Sequence, residues 1–171
     1  MDRGVVMRRV VWFATLVLTA LTMGLEFAHV LEWPQKQDYP GTLYVRLQES
    51  LYLWFGNLGG VLYVLAVLAT VVLAVLLRRE RGQRGPVAVA AGLQVVALIT
   101  FLTIIYPVNL RLPVNSAGTV PADWTALRDR WELGHTIGFV LFIASFVLVV
   151  NTLLRQTGER HAKERTTIRR S

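Results

Sequence analysis

Two Glu-x-x-His pairs, Glu26–His29 and Glu132–His135, carry the residue types in this sequence that are best suited to chemistry. On a helix each pair lies one turn apart on a shared face. A carboxylate so placed can orient or charge-balance an imidazole for acid–base work, or join it on a metal ion. Further polar candidates are Glu32, Gln48, Glu49, Tyr52, Asn57, Tyr106 and Asn109. The chain has no cysteine, which removes thiolate metal sites, disulfides and cysteine nucleophiles. Membrane oxidoreductases that work through a cysteine pair are excluded on the same ground.

The elements that must position these groups are membrane spans. Of 171 residues, 54% are hydrophobic and only 17% charged, and the mean hydropathy is +0.47. A soluble domain of this length would carry more surface charge. Four apolar stretches reach the roughly 20 residues a span requires, at about residues 10–31, 51–77, 86–106 and 132–154. The expected fold is therefore all-α, a four-helix transmembrane bundle over 1–155, followed by a basic, disordered tail over 156–171. The first stretch reads as a retained span and not a cleaved signal, because no small-x-small cleavage site comes before Glu26 and His29.

Orientation follows from the basic residues. Arg3, Arg8 and Arg9, then Arg78, Arg79, Arg81 and Arg84, then Arg155, Arg160, Lys163, Arg165, Arg169 and Arg170 fall on one side, thirteen of the 18. Lys36, Arg46, Arg111, Arg128 and Arg130 fall on the other. The excess puts both termini in the cytoplasm, with the chain in the inner (plasma) membrane. The net charge of +7 is thereby assigned to the membrane and not to nucleic acid. With this frame, Glu26, His29, Tyr52, Asn57, Tyr106, Glu132 and His135 share one depth in the outer leaflet half. Trp33, Tyr39, Tyr44, Tyr52, Trp54, Tyr106, Trp124 and Trp131 crowd the same end and read mainly as an interfacial aromatic belt.

Local signals complete the expectation. Pro86 opens span three, and Pro107 ends it before an extended segment containing Pro113. Residues 122–131 form a short amphipathic helix that lies in the headgroup region or runs into span four. Gly24, Gly56 with Gly60, and Gly134 with Gly138 make the bundle tightest toward the outside, and the glycine faces offer a homodimer contact. Gln94, alone near mid-span, reads as an interhelical hydrogen-bond residue.

Two Glu-x-x-His helices also occur in di-iron bundles, but there the other two helices each supply a glutamate. Here span two offers Glu49 and span three offers none. The readings left open are one divalent transition metal on Glu26, His29, Glu132, His135 and Glu49, a metal-free catalytic or proton-handling site, and a structural polar network. In the catalytic reading His29, His135 and Glu132 act, while Tyr52, Asn57, Tyr106 and Asn109 bind the substrate.

The run Ala28-His29-Val30-Leu31-Glu32-Trp33-Pro34-Gln35-Lys36, followed by Tyr44, Gln48, Tyr52, Gly56 and Gly59-Gly60, resembles one subgroup of the anthrone-oxygenase-like membrane proteins. The later run Pro107-Val108-Asn109, Trp124, Leu127 to Glu132 and Gly134-His135 is similar to that family's second signature. The resemblance covers about residues 10–155. It implies a four-helix membrane protein, some of whose relatives oxidise anthrones with molecular oxygen, and it places His135 on a histidine common in the family. The expectation is a membrane oxidoreductase acting on a lipophilic aromatic or quinone-like molecule. The alternative is a non-enzymatic transporter-like or accessory subunit.

Overall fold

A computed structural model describes residues 3–112 and 119–168. Its elements are α1 (Arg3–Lys36), α2 (Gly41–Glu49), α3 (Leu53–Leu76), α4 (Arg81–Thr100), a π-helical turn (Phe101–Ile105), α5 (Tyr106–Arg111) and α6 (Trp124–Ile168). No strand occurs among the described residues. Four helical stretches, Arg3–Lys36, Leu53–Leu76, Arg81–Arg111 and Trp124–Gly158, are long and apolar enough to cross a bilayer. The chain is a multi-pass membrane protein with an all-α fold. The start of α1, the end of α6 and the α3–α4 turn lie at one end of the bundle, and the polar cluster lies at the other, the distal end.

The helices outrun the spans expected from hydropathy, for local reasons. α1 continues through Pro34 to Lys36. Its last carbonyls are held by α6, since Arg128 Nη1 donates to the backbone oxygens of Lys36 (3.5 Å) and Gln37 (3.1 Å). These bonds satisfy acceptors that a helix end otherwise leaves open. The nine-residue α2 was not anticipated, because its alternation is too short to register. Pro86 does not open α4, which starts five residues earlier at Arg81. The acceptor that Pro86 cannot serve is the carbonyl of Gly82, at an exposed first turn where water can substitute.

Pro107 does not end the third span either. A π-helical turn at Phe101–Ile105 precedes it and α5 follows directly. Proline removes the donor to the carbonyl four residues back, and Arg130 Nη2 donates to that carbonyl, on Thr103, at 2.9 Å. The helix therefore survives its proline. Pro113 lies outside the described residues. The stretch around 122–131 runs straight into α6, which continues as helix to Ile168 where a disordered tail was expected from residue 156. Its run of Arg, Glu and Lys lacks proline and suits a helix.

Packing falls into three layers. Near the termini Trp12, Leu73, Leu77, Val87, Ala90 and Val149 interlock. Tyr63, Ala66, Ala97 and Phe142 fill the middle. Tyr44, Val45, Ile105, Val108, Leu112, Leu127 and Trp131 close the distal end. Between the first two layers Gln94 joins all four spans. Its Nε2 donates to Thr19 Oγ1 (3.0 Å) and Ser145 Oγ (2.9 Å), and its Oε1 accepts from Thr70 Oγ1 (2.9 Å). The expected role of Gln94 holds. The glycine expectation holds only for α6. A Cβ on Gly134 or Gly138 would meet neighbours at 2.6 Å, whereas Gly24 and Gly56 have nothing within 4 Å.

Candidate functional site

α1 turns a polar face into the bundle. Its buried residues are Trp12, Thr15, Thr19, Thr22, Glu26, His29 and Lys36, spaced three or four apart until the last step of seven. Apolar residues such as Phe13, Val17 and Leu21 point outward. This inversion is what a bilayer demands, because polar side chains there need partners inside the protein. α6 answers at the distal end with Trp131, Glu132 and His135, all buried.

The two halves meet as two linked clusters. In the deeper one, His135 Nδ1 and Glu26 Oε2 lie 3.0 Å apart and share a proton. The Tyr63 hydroxyl and Glu26 Oε2 converge on Gly138, each 2.6 Å from where a Cβ would stand. Only glycine leaves room for that approach. His29 stacks beside His135 with ring centroids 4.2 Å apart, and both pack on Trp131, at 4.6 and 4.1 Å.

The second cluster surrounds Lys36, which is 1% exposed. Its Nζ sits 3.1 Å from Glu32 Oε2 and 3.2 Å from Glu132 Oε1. It also lies over the rings of Tyr52 (4.6 Å) and Trp131 (4.8 Å), a cation–π arrangement. Tyr52 donates to Glu32, and Tyr44 donates to Glu132 Oε1 at 3.3 Å while accepting from Gln48 Nε2 at 3.2 Å. A buried ammonium is tolerable only with such pairing. Tyr44 lies outside the membrane-spanning stretches, and burial followed by the nearby Glu132 raises its phenol above the usual range. Burial and the bond to Glu32 do the same for Tyr52.

Beside the histidines opens a cavity of about 640 Å³, a size that suits a drug-sized molecule. Glu26, His29, Tyr63, Trp131 and His135 form its deep wall. Tyr52, Phe55 and Phe101 add aromatic surface, and Gln48, Glu49, Asn57, Tyr106 and Asn109 stand toward the mouth. Trp131 Nε1 donates to Asn109 Oδ1 at 2.7 Å, fixing that wall. The exposed Leu53, Asn57 and Val61 of α3 face the exposed Tyr106 across the opening, so the cavity opens sideways between α3 and the Phe101–Arg111 stretch. Gly56 and Gly60 line it and so keep it open.

The structure thus brings His29, His135, Glu26, Tyr52, Asn57, Tyr106, Asn109 and Glu49 around one cavity. Glu132 is not among the lining residues; it faces Lys36 and Tyr44 instead. The expected metal set is not assembled. Among the described residues no group of three or more histidines and carboxylates is arranged to hold a metal ion. The reason is physical: Lys36 already neutralises Glu132, Glu26 engages His135, and Glu49 is exposed at the mouth.

Lys36 is the residue the sequence reading missed. Ending the first span at Leu31 left it in a loop. A helix carried through Pro34 places it at i+4 from Glu32, the favourable order for such a pair. Tyr44 and Trp131, read as belt residues, are buried at the site, as is Tyr52, read both as a belt residue and as a substrate-binding one, while Trp54 and Tyr106 remain exposed. Comparison of the chain with protein-family models, curated proteins and solved structures finds no match.

Proposed function

We propose that this chain is a membrane enzyme performing acid–base chemistry, leading to oxidation, on a lipophilic aromatic or quinone-like molecule that enters from the bilayer. The observation that carries the reading is the cavity itself. It opens sideways, where an apolar molecule dissolved in lipid would arrive, and ends on two adjacent histidines, one backed by a carboxylate. Glu26 fixes the ring orientation of His135, as an acid partner does for a working imidazole. His29, beside it, offers the cavity its second nitrogen, because Nδ1 faces Glu32 at 3.7 Å. Either imidazole can withdraw a phenolic proton, and the aromatic walls can hold the ring that loses it. The resemblance to anthrone-oxygenase-like proteins adds the second half: the resulting anion is electron-rich and open to oxidation by molecular oxygen. With both termini cytoplasmic, the cavity belongs to the outer leaflet half.

Transport is less well supported. A route across the bundle would have to continue past Tyr63, where Gln94, Thr19, Thr70 and Ser145 are fully buried and bonded to one another. The test uses the protein in lipid nanodiscs with a panel of hydroxylated polycyclic aromatics, following oxygen uptake and product absorbance. Turnover that disappears in His135→Ala, with the fold intact by circular dichroism, supports the enzyme. No turnover across the panel, or full turnover in His135→Ala, overturns it and leaves an accessory role for the polar cluster.

A further inference from the structure

The cavity wall contains a second feature, which concerns where protons go. Hydrocarbon cannot accept a proton, so a site that opens onto lipid and moves protons needs a polar route to water. We infer that Glu32 is the port through which the cavity exchanges protons with the aqueous layer, by way of His29. For its use this rests on the acid–base reading above; its geometry and its test do not.

His29 lines the cavity and Glu32 does not. Glu32 stands on the other side of the imidazole, at 3.7 Å from Nδ1. Its side chain is 39% exposed, against 4% for His29, 2% for Lys36 and 1% for Glu132. It is therefore the one carboxyl of the two clusters that both approaches a histidine of the cavity wall and is exposed at the surface of the bundle. Glu26 lies with His135 on the enclosed side, and Glu132 is sealed behind Lys36 and Tyr44.

The surrounding groups hold the port in place. Tyr52 donates to Glu32 Oε2, and Lys36 Nζ lies 3.1 Å from the same oxygen. These keep the carboxylate beside the imidazole. The imidazole in turn cannot swing away, since Tyr52, Phe55, Trp131 and His135 crowd it with ring centroids between 4.2 and 5.5 Å. Nδ1 is buried and has no hydrogen-bond partner. A gap of 3.7 Å closes by a small rotation of the carboxyl or through one water.

The step balances simply. A proton from the occupant reaches His29 Nε2, and the imidazolium releases its Nδ1 proton to Glu32 Oε2. The neutral carboxyl then yields that proton to water and is again a carboxylate. One proton enters and one leaves, and His29 is left as the Nε2–H tautomer. It is reset when a proton passes back from Glu32 to Nδ1 and Nε2 returns its own to the occupant.

The test reads hydrogen exchange directly and needs no substrate. With ¹⁵N-histidine-labelled protein in nanodiscs, the exchange of the His29 Nδ1 proton with bulk water is measured by NMR, assigned with His29→Gln. Glu32→Gln should slow it by about 100-fold, the range a positioned base contributes, with the His135 resonances unmoved. Formate added to the buffer should restore the rate in Glu32→Gln. Unchanged exchange in Glu32→Gln overturns the port. So does slowing by Glu49→Gln alone, which would send protons through the cavity mouth. Slowing that formate does not rescue, with shifted His135 signals, would make Glu32 structural and equally overturn it. Failure of every aromatic substrate in the turnover assay would leave these outcomes readable.

Discussion

Gly138→Ala isolates the contact on which the histidine pair depends. An added Cβ would lie 2.6 Å from Glu26 Oε2, 2.6 Å from the Tyr63 hydroxyl and 3.1 Å from Glu26 Cδ. Carbon needs about 3.5 Å, so the carboxylate and the phenol must each retreat by roughly 1 Å. His135 and Glu26 now stand 3.0 Å apart. A retreat of that size takes the pair past hydrogen-bonding distance and leaves two buried polar groups without each other. Overpacking costs about 1–3 kcal/mol, and leaving a buried polar group unsatisfied about 1–3 kcal/mol. The two overlap, and a loss of about 3 kcal/mol is expected.

Gly134→Ala separates these contributions. Its Cβ would also meet a neighbour at 2.6 Å, but that neighbour is Ile105, in the π-helical turn. It should show the overpacking loss alone. Gly56→Ala, with nothing within 4 Å, should cost almost nothing. Unfolding in mild detergent measures stability, and ¹⁵N NMR of His135 reads the pairing. His135 signals that move in Gly138→Ala but not in Gly134→Ala are expected. Equal stability losses in the two, with His135 unmoved in both, would refute the proposed role of the glycine.

Removing the central cation should be more damaging than removing any single hydrogen bond. Lys36→Met leaves Glu32 and the buried Glu132 without their shared partner and should cost about 3–5 kcal/mol in detergent unfolding. Lys36→Met with Glu132→Gln should recover part of that, and a single variant as stable as wild type would show the pair to be inert. Tyr44 and Tyr52 are both held above the usual phenol range. A phenol whose folded value is raised contributes stability that is fully present below its unfolded value, about pH 10. That contribution is lost as pH rises through the higher folded value, so spectrophotometric titration should find Tyr44 and Tyr52 un-ionised above that pH until the bundle unfolds.

Much of the fold was open to reading because the bilayer makes hydropathy a direct record of the helices. The shared depth of Glu26, His29 and His135 was legible for the same reason. The misreadings have one physical source, which is that a helix end is decided by what satisfies its last polar groups. Pro107 was read as a terminator, yet Arg130 supplies the donor that the proline lacks. Leu31 was read as the end of the first span, yet Arg128 binds the carbonyls of Lys36 and Gln37. Both arginines come from α6, distant in sequence, so no local pattern announces them. Missing the last turn of α1 then hid Lys36, and with it the reason Glu132 is tied up away from the cavity. The aromatic residues failed similarly. Tyr and Trp at a membrane interface and Tyr and Trp around a buried cation have the same composition signature.

In a soluble protein the apolar stripe of a helix marks the core; here the polar stripe of α1 does. At mid-bundle Thr19 meets Gln94, whose oxygen and nitrogen are both engaged, and the set is closed. Elsewhere His29 Nδ1, Tyr63 OH and His135 Nε2 at the distal end, and Trp12 Nε1 and Thr15 Oγ1 toward the other end, are buried with no hydrogen-bond partner. At the distal end the partners are instead ions and rings: Lys36 stands between Glu32 and Glu132, and His29 and His135 pack on Trp131.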